Sequence, residues 1–160
     1  MDMAERERAH QVEVTEAPPA AVSPDYADAF AVARRPEDRR SAERWARDGF
    51  EGLPVVTREA GLFAHRRLLG FRLGPWGSPD HVFGWRIARS EPELLGLEAR
   101  GRWLSAHMVW RLHEARLVMS TFARYEMPRT GWTVWTTLGG IHRASTPYLL
   151  RLAATAPEEA

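Results

Sequence analysis

The 160-residue chain contains no cysteine, no lysine and no asparagine. Without cysteine there is no disulfide, no thiol nucleophile and no thiolate-bound metal. Without lysine, Schiff-base chemistry and a phosphate-loop lysine are excluded. All 22 basic residues are therefore arginine, and they meet 21 acidic residues for a net charge of +1. No global field draws in nucleic acid or an anionic membrane. The basic stretches carry interleaved Asp and Glu, so no nucleic-acid partner is expected. No apolar run approaches the roughly 18 residues of a membrane span. The first 21 residues lack an apolar signal-peptide segment, so the expected location is the cytoplasm. The lack of lysine and asparagine, with only two isoleucines, tracks GC-rich codons and points to a high-GC bacterial genome.

What the chain does have is tryptophan, at seven copies, within an apolar fraction of 44%. Rings of this size dominate whatever core or pocket they enter. The length suits one domain. Residues 1–23 are charged and then Pro/Ala-rich, and read as a disordered tail. The domain is expected over 24–156, with 157–160 frayed. Tyr26, Asp28, Phe30 and Val32 alternate as in a strand. Ser41 is placed to cap a helix AERWARDGFEGL, and Thr57 a second, REAGLFAHRRLL, with Leu62, Phe63, Leu68 and Leu69 on its stripe. LGPWGSPD (73–80) reads as loop.

From His81 the period becomes strand-like, in runs at 82–88, 94–99, 102–113 and 116–125. Their short links predict an antiparallel meander. A two-residue turn at Arg100-Gly101, with glycine supplying positive φ, pairs Leu97 with Leu104 and Leu95 with Ala106. A turn centred on Glu114-Ala115 pairs Leu112 with Leu117, Trp110 with Met119, Met108 with Thr121, Ala106 with Ala123 and Leu104 with Tyr125. The Pro92 turn sets Trp85 near Leu97 and Ile87 near Leu95. One face then carries Phe83, Trp85, Ile87, Leu95, Leu97, Leu104, Met108, Trp110 and Met119, and is apolar except for Thr121 and the Tyr125 hydroxyl. The other face holds Glu98, His107, Arg111 and Arg124, with Trp103, Val109 and Phe122 among them. After Pro128 the pattern is helical. Trp132, Trp135, Leu138 and His142 share a stripe, and Pro147 either kinks this helix or starts another. Gly139 and Gly140 are expected to permit close helix–sheet approach. The apolar sheet face is the surface this helix must cover.

The segments YADAFAV, SAERWARDGFEGLP, HVFGWRI, LVMSTFARYE and VWTTLGGIHRASTPYLLRLAA, in that order, resemble the helix-grip fold of the START and Bet v 1-like superfamily. That superfamily includes polyketide cyclases and aromatases, and the C-terminal segment resembles its bacterial members. The resemblance spans residues 24–156. It implies an α+β fold in which an antiparallel meander curves around a long C-terminal helix, with two short helices after the first strand. It also implies more strands than the five legible here, so LGFRL (69–73) adds one, a long run is split, or the sheet is shorter. The implied activity is binding of an apolar or aromatic small molecule, lipid- or polyketide-like, between sheet and helix. The alternatives are a cyclase or aromatase acting on such a ligand, and an interaction module with a filled core. No catalytic motif is evident: there is no G-x-S-x-G elbow, and no cofactor or metal is expected.

The ligand-lining candidates are Trp85, Leu97, Leu104, Met108, Trp110, Met119, Thr121, Tyr125, Trp135, Leu138 and His142. Ordinary core packing is the competing reading for the aromatic cluster. His142 is a candidate polar anchor or acid–base group against a hydrogen-bonded core histidine, and Tyr125 is a second candidate acid–base group. His107, Arg111, Arg124 and Glu98 are a weaker candidate anion site against a solvated sheet face.

Overall fold

The computed structural model describes residues 8–19 and 23–158. Seven strands form one antiparallel sheet: β1 (His10–Val12), β2 (Tyr26–Ala33), β3 (His81–Val82), β4 (Trp85–Glu91), β5 (Leu94–Arg100), β6 (Leu104–Leu112) and β7 (Arg116–Tyr125). Their order across the sheet is β1-β2-β7-β6-β5-β4-β3. Helix α1 (Ala42–Glu51) and helix α2 (Val55–Phe63) follow β2, and α2 runs into a π-helical turn at Ala64–Leu68. Helix α3 (Pro128–Thr155) closes the chain and covers the inner face of the sheet. The α+β meander with a long final helix is therefore as expected.

The β6–β7 register matches the expected pairing throughout, from Leu104 opposite Tyr125 to Leu112 opposite Leu117. The β5–β6 register does not. Leu97 faces Met108 and Arg100 faces Ser105, so four residues rather than two lie between the paired ends. Gly101 is not a positive-φ residue. It is pressed against the arm that follows α2: a Cβ there would stand 2.7 Å from the Gly70 carbonyl oxygen. Phe71 bridges to Gly101 and closes this corner, in place of a full strand at 69–73. Because the slip is even, every side chain keeps its face. In β4–β5, Ile87 faces Leu97, and a bulge before Arg89 then shifts the ladder.

The run at 82–88 is split. Phe83 and Gly84 both have positive φ, at 53° and 77°, and turn the chain between Val82 and Trp85 as a two-residue hairpin loop. A phenylalanine in this region is strained. It is held by stacking on Phe50 at 4.7 Å between centroids.

The N-terminal segment is not wholly a tail. His10–Val12 pairs with Ala29–Ala31 as an edge strand, and the residues after it cross the outer face. Val12 and Val14 pack on Ala29, Ala31 and Val118, and Val14 also packs on Leu94, Val109 and Phe122. Those outer-face apolar residues needed a cover, and this segment supplies it. Residues 1–7 and 20–22 of the expected tail lie outside the described residues.

Ser41 caps α1 as expected, accepting from the Arg44 N–H at 3.1 Å. Arg40 bonds Asp38, Asp48 and the Ala153 carbonyl, which fastens α1 to the end of α3. Helix α2 begins at Val55 behind Pro54, two residues before the expected Thr57 cap. Only Leu62 and Leu69 of its expected stripe are buried, while Phe63 and Leu68 are exposed. Helix α3 runs unbroken through Pro147. The Thr146 and Ser145 hydroxyls both donate to the His142 carbonyl in the turn ahead of the proline. Close approach to the sheet falls at Gly131, where a Cβ would stand 2.7 Å from the Trp103 carbonyl oxygen, whereas Gly140 faces open space. With Gly131 against the sheet, Trp132 is turned outward and is 59% exposed, contrary to the expected stripe.

Candidate functional site

An apolar cavity of about 220 Å³ lies between the inner sheet face, α3 and the α2–π-turn arm. The sheet contributes Trp85, Ala106, Met108, Met119 and Thr121, and α3 contributes Trp135, Leu138 and His142. The third wall, with Gly61, His65 and Leu68, comes from the arm, which the sequence pattern does not assign to the site. Exposed Leu68, Ile141 and Tyr148 mark where the cavity meets solvent.

Seven of the eleven candidate residues lie on this wall: Trp85, Met108, Met119, Thr121, Trp135, Leu138 and His142. Leu97, Leu104 and Trp110 do not; they are at most 1% exposed and belong to the packed core. Tyr125 is also off the wall. It sits at the sheet end beneath Gly131, and its backbone N–H donates to Asp25. Of the two candidate acid–base groups, His142 is therefore on the wall and Tyr125 is not.

His142 instead meets Asp28, a residue that the strand period places on a face and nothing more. Nε2 donates to Asp28 Oδ2 at 3.0 Å. The Asp28 side chain is 1% exposed. The Tyr26 hydroxyl donates to the same oxygen at 2.6 Å, and Arg143 Nη1 donates to that hydroxyl at 3.3 Å. Burial, and then the bond to Asp28, push the Tyr26 phenol up to about 12. Trp135 lies between these rings, 4.9 Å from Tyr26 and 5.4 Å from His142 between centroids. The signal was legible: an aspartate on the inward register of a strand otherwise lined by Tyr26, Phe30 and Val32. A buried carboxylate needs donors, and here one comes from the helix laid across it.

His65 occupies the π-helical turn, whose Leu69 N–H bonds the Ala64 carbonyl. Such turns recur at functional sites. Its ring stands edge-on to Phe83 and Trp85. Burial pushes its pKa down to about 4, and the nearby His142 pushes the same way, so the imidazole is neutral near pH 7.

Four residues of the wall carry a buried polar atom with no hydrogen-bond partner: His65 Nδ1, Trp85 Nε1, Thr121 Oγ1 and Trp135 Nε1. The cavity thus combines an apolar body with partnerless donors and a histidine on a buried carboxylate. That composition suits a ligand with an apolar skeleton and one or two polar atoms.

The outer-face group is divided between ion pairs and a groove. Arg86 pairs with Glu98, and Arg111 is taken by Glu16 of the N-terminal segment through two bonds at 2.5 and 2.7 Å. Burial lowers the pKa of His107. His107 and Arg124 border one outer groove, together with Arg100 and Glu126. Among the described residues, no helix is long and apolar enough to cross a membrane.

No family model matches the chain, and no curated protein matches it. Among solved structures it is similar to CalU16 from Micromonospora echinospora, at 14% identity over 79% of this chain and 82% of that one, with a TM-score of 0.28.

Proposed function

We propose that the protein binds a small apolar or aromatic molecule in the cavity between sheet, α3 and the α2 arm. The observation that carries this reading is the cavity wall itself: about 220 Å³ of space, with buried indole and hydroxyl groups aimed at no protein partner. Leaving such groups unpaired costs about 1–3 kcal/mol each. A ligand acceptor would offset that cost at the wall, whereas Trp45 Nε1 and Trp110 Nε1, off the wall, carry it within the packed core. A dry apolar cavity of roughly 150 Å³ takes benzene, and drug-sized pockets start near 300 Å³. The volume here therefore suits one or two rings with a polar substituent, rather than a fatty acyl chain or a polycyclic ligand.

The test is native mass spectrometry of freshly purified protein, together with titration of an apolar fluorescent dye. A co-purifying small molecule, or saturable dye uptake that quenches tryptophan emission, is expected. An empty protein that also takes up no dye would show the cavity to be a packing gap, and would favour an interaction module.

A further inference from the structure

We propose that the Asp28–His142 pair makes this cavity a proton-transfer site, with His142 Nδ1 as general base toward a small cyclic ketone or similar carbon acid. This rests on the cavity being a ligand site and goes beyond it, because binding alone requires no base.

Three observations converge. The first is the tautomer. A carboxylate only accepts, so the 3.0 Å contact with Asp28 places the imidazole proton on Nε2. The lone pair is left on Nδ1. Among the described residues Nδ1 has no hydrogen-bond partner, and its ring lines the cavity. A base with one nitrogen held by a buried carboxylate and the other free is the arrangement general-base catalysis needs.

The second is how Asp28 is held. Its Oδ2 accepts from both Tyr26 and His142, and Arg143 backs the Tyr26 hydroxyl from outside. Asp28 is thereby fixed in place as a positioning residue, and the ring it holds is fixed with it. A histidine needed only to satisfy Asp28 would not have to stand on the wall of a cavity.

The third is the set of donors sharing that wall. Trp85 Nε1, Trp135 Nε1 and the Thr121 hydroxyl are buried without partners. Thr121 lies directly across the strand pair from Asp28. Deprotonating a carbon next to a carbonyl moves charge onto oxygen, and fixed donors in a low-dielectric pocket are what stabilise it.

The step balances within the site. Nδ1 takes a proton from the carbon beside the carbonyl. The C–H pair becomes a C=C bond, and the carbonyl π pair moves to oxygen. An indole N–H or the Thr121 hydroxyl holds the enolate. The imidazolium then returns a proton to the same carbon or to a conjugated one. The net result is proton exchange or a double-bond shift, with no oxidant, reductant or co-reactant.

The experiment uses the full chain in D2O with cyclohexanone, 2-indanone and 2-tetralone. Exchange of the α-protons is followed by proton NMR, and binding is followed separately by saturation transfer. For at least one ketone, exchange is expected to exceed the buffer rate by roughly 10²-fold, the low end for a positioned base. His142→Gln should return exchange to the buffer rate while saturation transfer persists. Asp28→Asn should slow exchange and shift the proton off Nε2. The nitrogen-15 spectrum of the unaltered protein provides a check that needs no variant: Nδ1 of His142 should be unprotonated. A proton on Nδ1, a ketone that binds but exchanges at the buffer rate, or a His142→Gln protein that exchanges like the parent would each overturn proton transfer and leave ligand binding standing. Failure of all three ketones to bind overturns it as well. If dye uptake also fails, the cavity reading falls with it.

Discussion

Ala106 and Ala123 face each other across β6 and β7 on the same inner face, and both are at most 2% exposed. Only Ala106 lies on the cavity wall. Replacing each with leucine therefore asks whether the interior is open at one point and packed at its neighbour. Ala106→Leu adds three carbons at about 0.8 kcal/mol each, a gross gain of about 2.4 kcal/mol. Ordering the leucine side chain costs about 0.5–1 kcal/mol, and a compact unfolded state trims the gain further. The expected net effect is a stabilisation of about 1 kcal/mol, accompanied by loss of dye uptake. Ala123→Leu has no such space and should destabilise by about 1–3 kcal/mol, as overpacking does. Urea unfolding followed by tryptophan emission reads both, at constant m-value. If Ala106→Leu is destabilised as much as Ala123→Leu, the space beside Ala106 is not available, and the cavity reading is refuted at its centre.

Arg40→Met should cost about 3 kcal/mol, because it strands the Asp38 carboxylate, whose side chain is 7% exposed, and leaves Asp48 with Arg44 alone at 2.8 Å; urea midpoints measure it. His65 is lowered from 6.5 to about 4 in the folded protein, so between these values the unfolded chain binds more protons. Stability is full above about pH 6.5 and falls as pH drops toward 4, by up to roughly 3 kcal/mol for this group; His65→Phe should flatten that part of the stability–pH curve relative to the parent. Val14→Ala should cost about 1 kcal/mol, since the half-buried side chain covers Leu94, Val109 and Phe122. It should also speed amide exchange in β1, and unchanged exchange would show that the strand is held by its ladder bonds alone.

How far the sequence could be read depended on what fixed each turn. The β6–β7 register was legible in full because the turn at Glu114-Ala115 is set by the apolar alternation on both sides. The β5–β6 register was not, because Gly101 reads as a hairpin glycine and is a close-approach glycine against Gly70. That contact comes from an arm about 30 residues upstream, and no local pattern encodes it. The Phe83-Gly84 turn was hidden by a residue that favours strands. Val12 and Val14 are too sparse to announce a strand, and their role emerges only from the apolar outer face that lacked a cover. At the site, the inward sheet residues and Trp135, Leu138 and His142 came from period alone. The His65 wall did not, since a π-turn shifts the helical phase and an α-helical stripe then misplaces the residues beyond the turn. Asp28 was placed on its strand, but the pairing with His142 needed the helix to be laid across β2.

Several local irregularities of this fold meet at one space. Phe83, in a conformation that costs of order 1–3 kcal/mol, lines the cavity. So does the π-turn histidine, and so do two of the partnerless indoles and the Thr121 hydroxyl. A packing gap left by chance would be apolar and without such features. A buried water needs two to four polar partners, and this mainly apolar wall is a poor host for one. What satisfies both the apolar skeleton of the wall and its few unpaired donors is a molecule built the same way. Sequences depart from local rules chiefly where function requires it. The clustering of those departures around His142 is the strongest reason to treat the cavity as a site, and to look for its chemistry at that histidine.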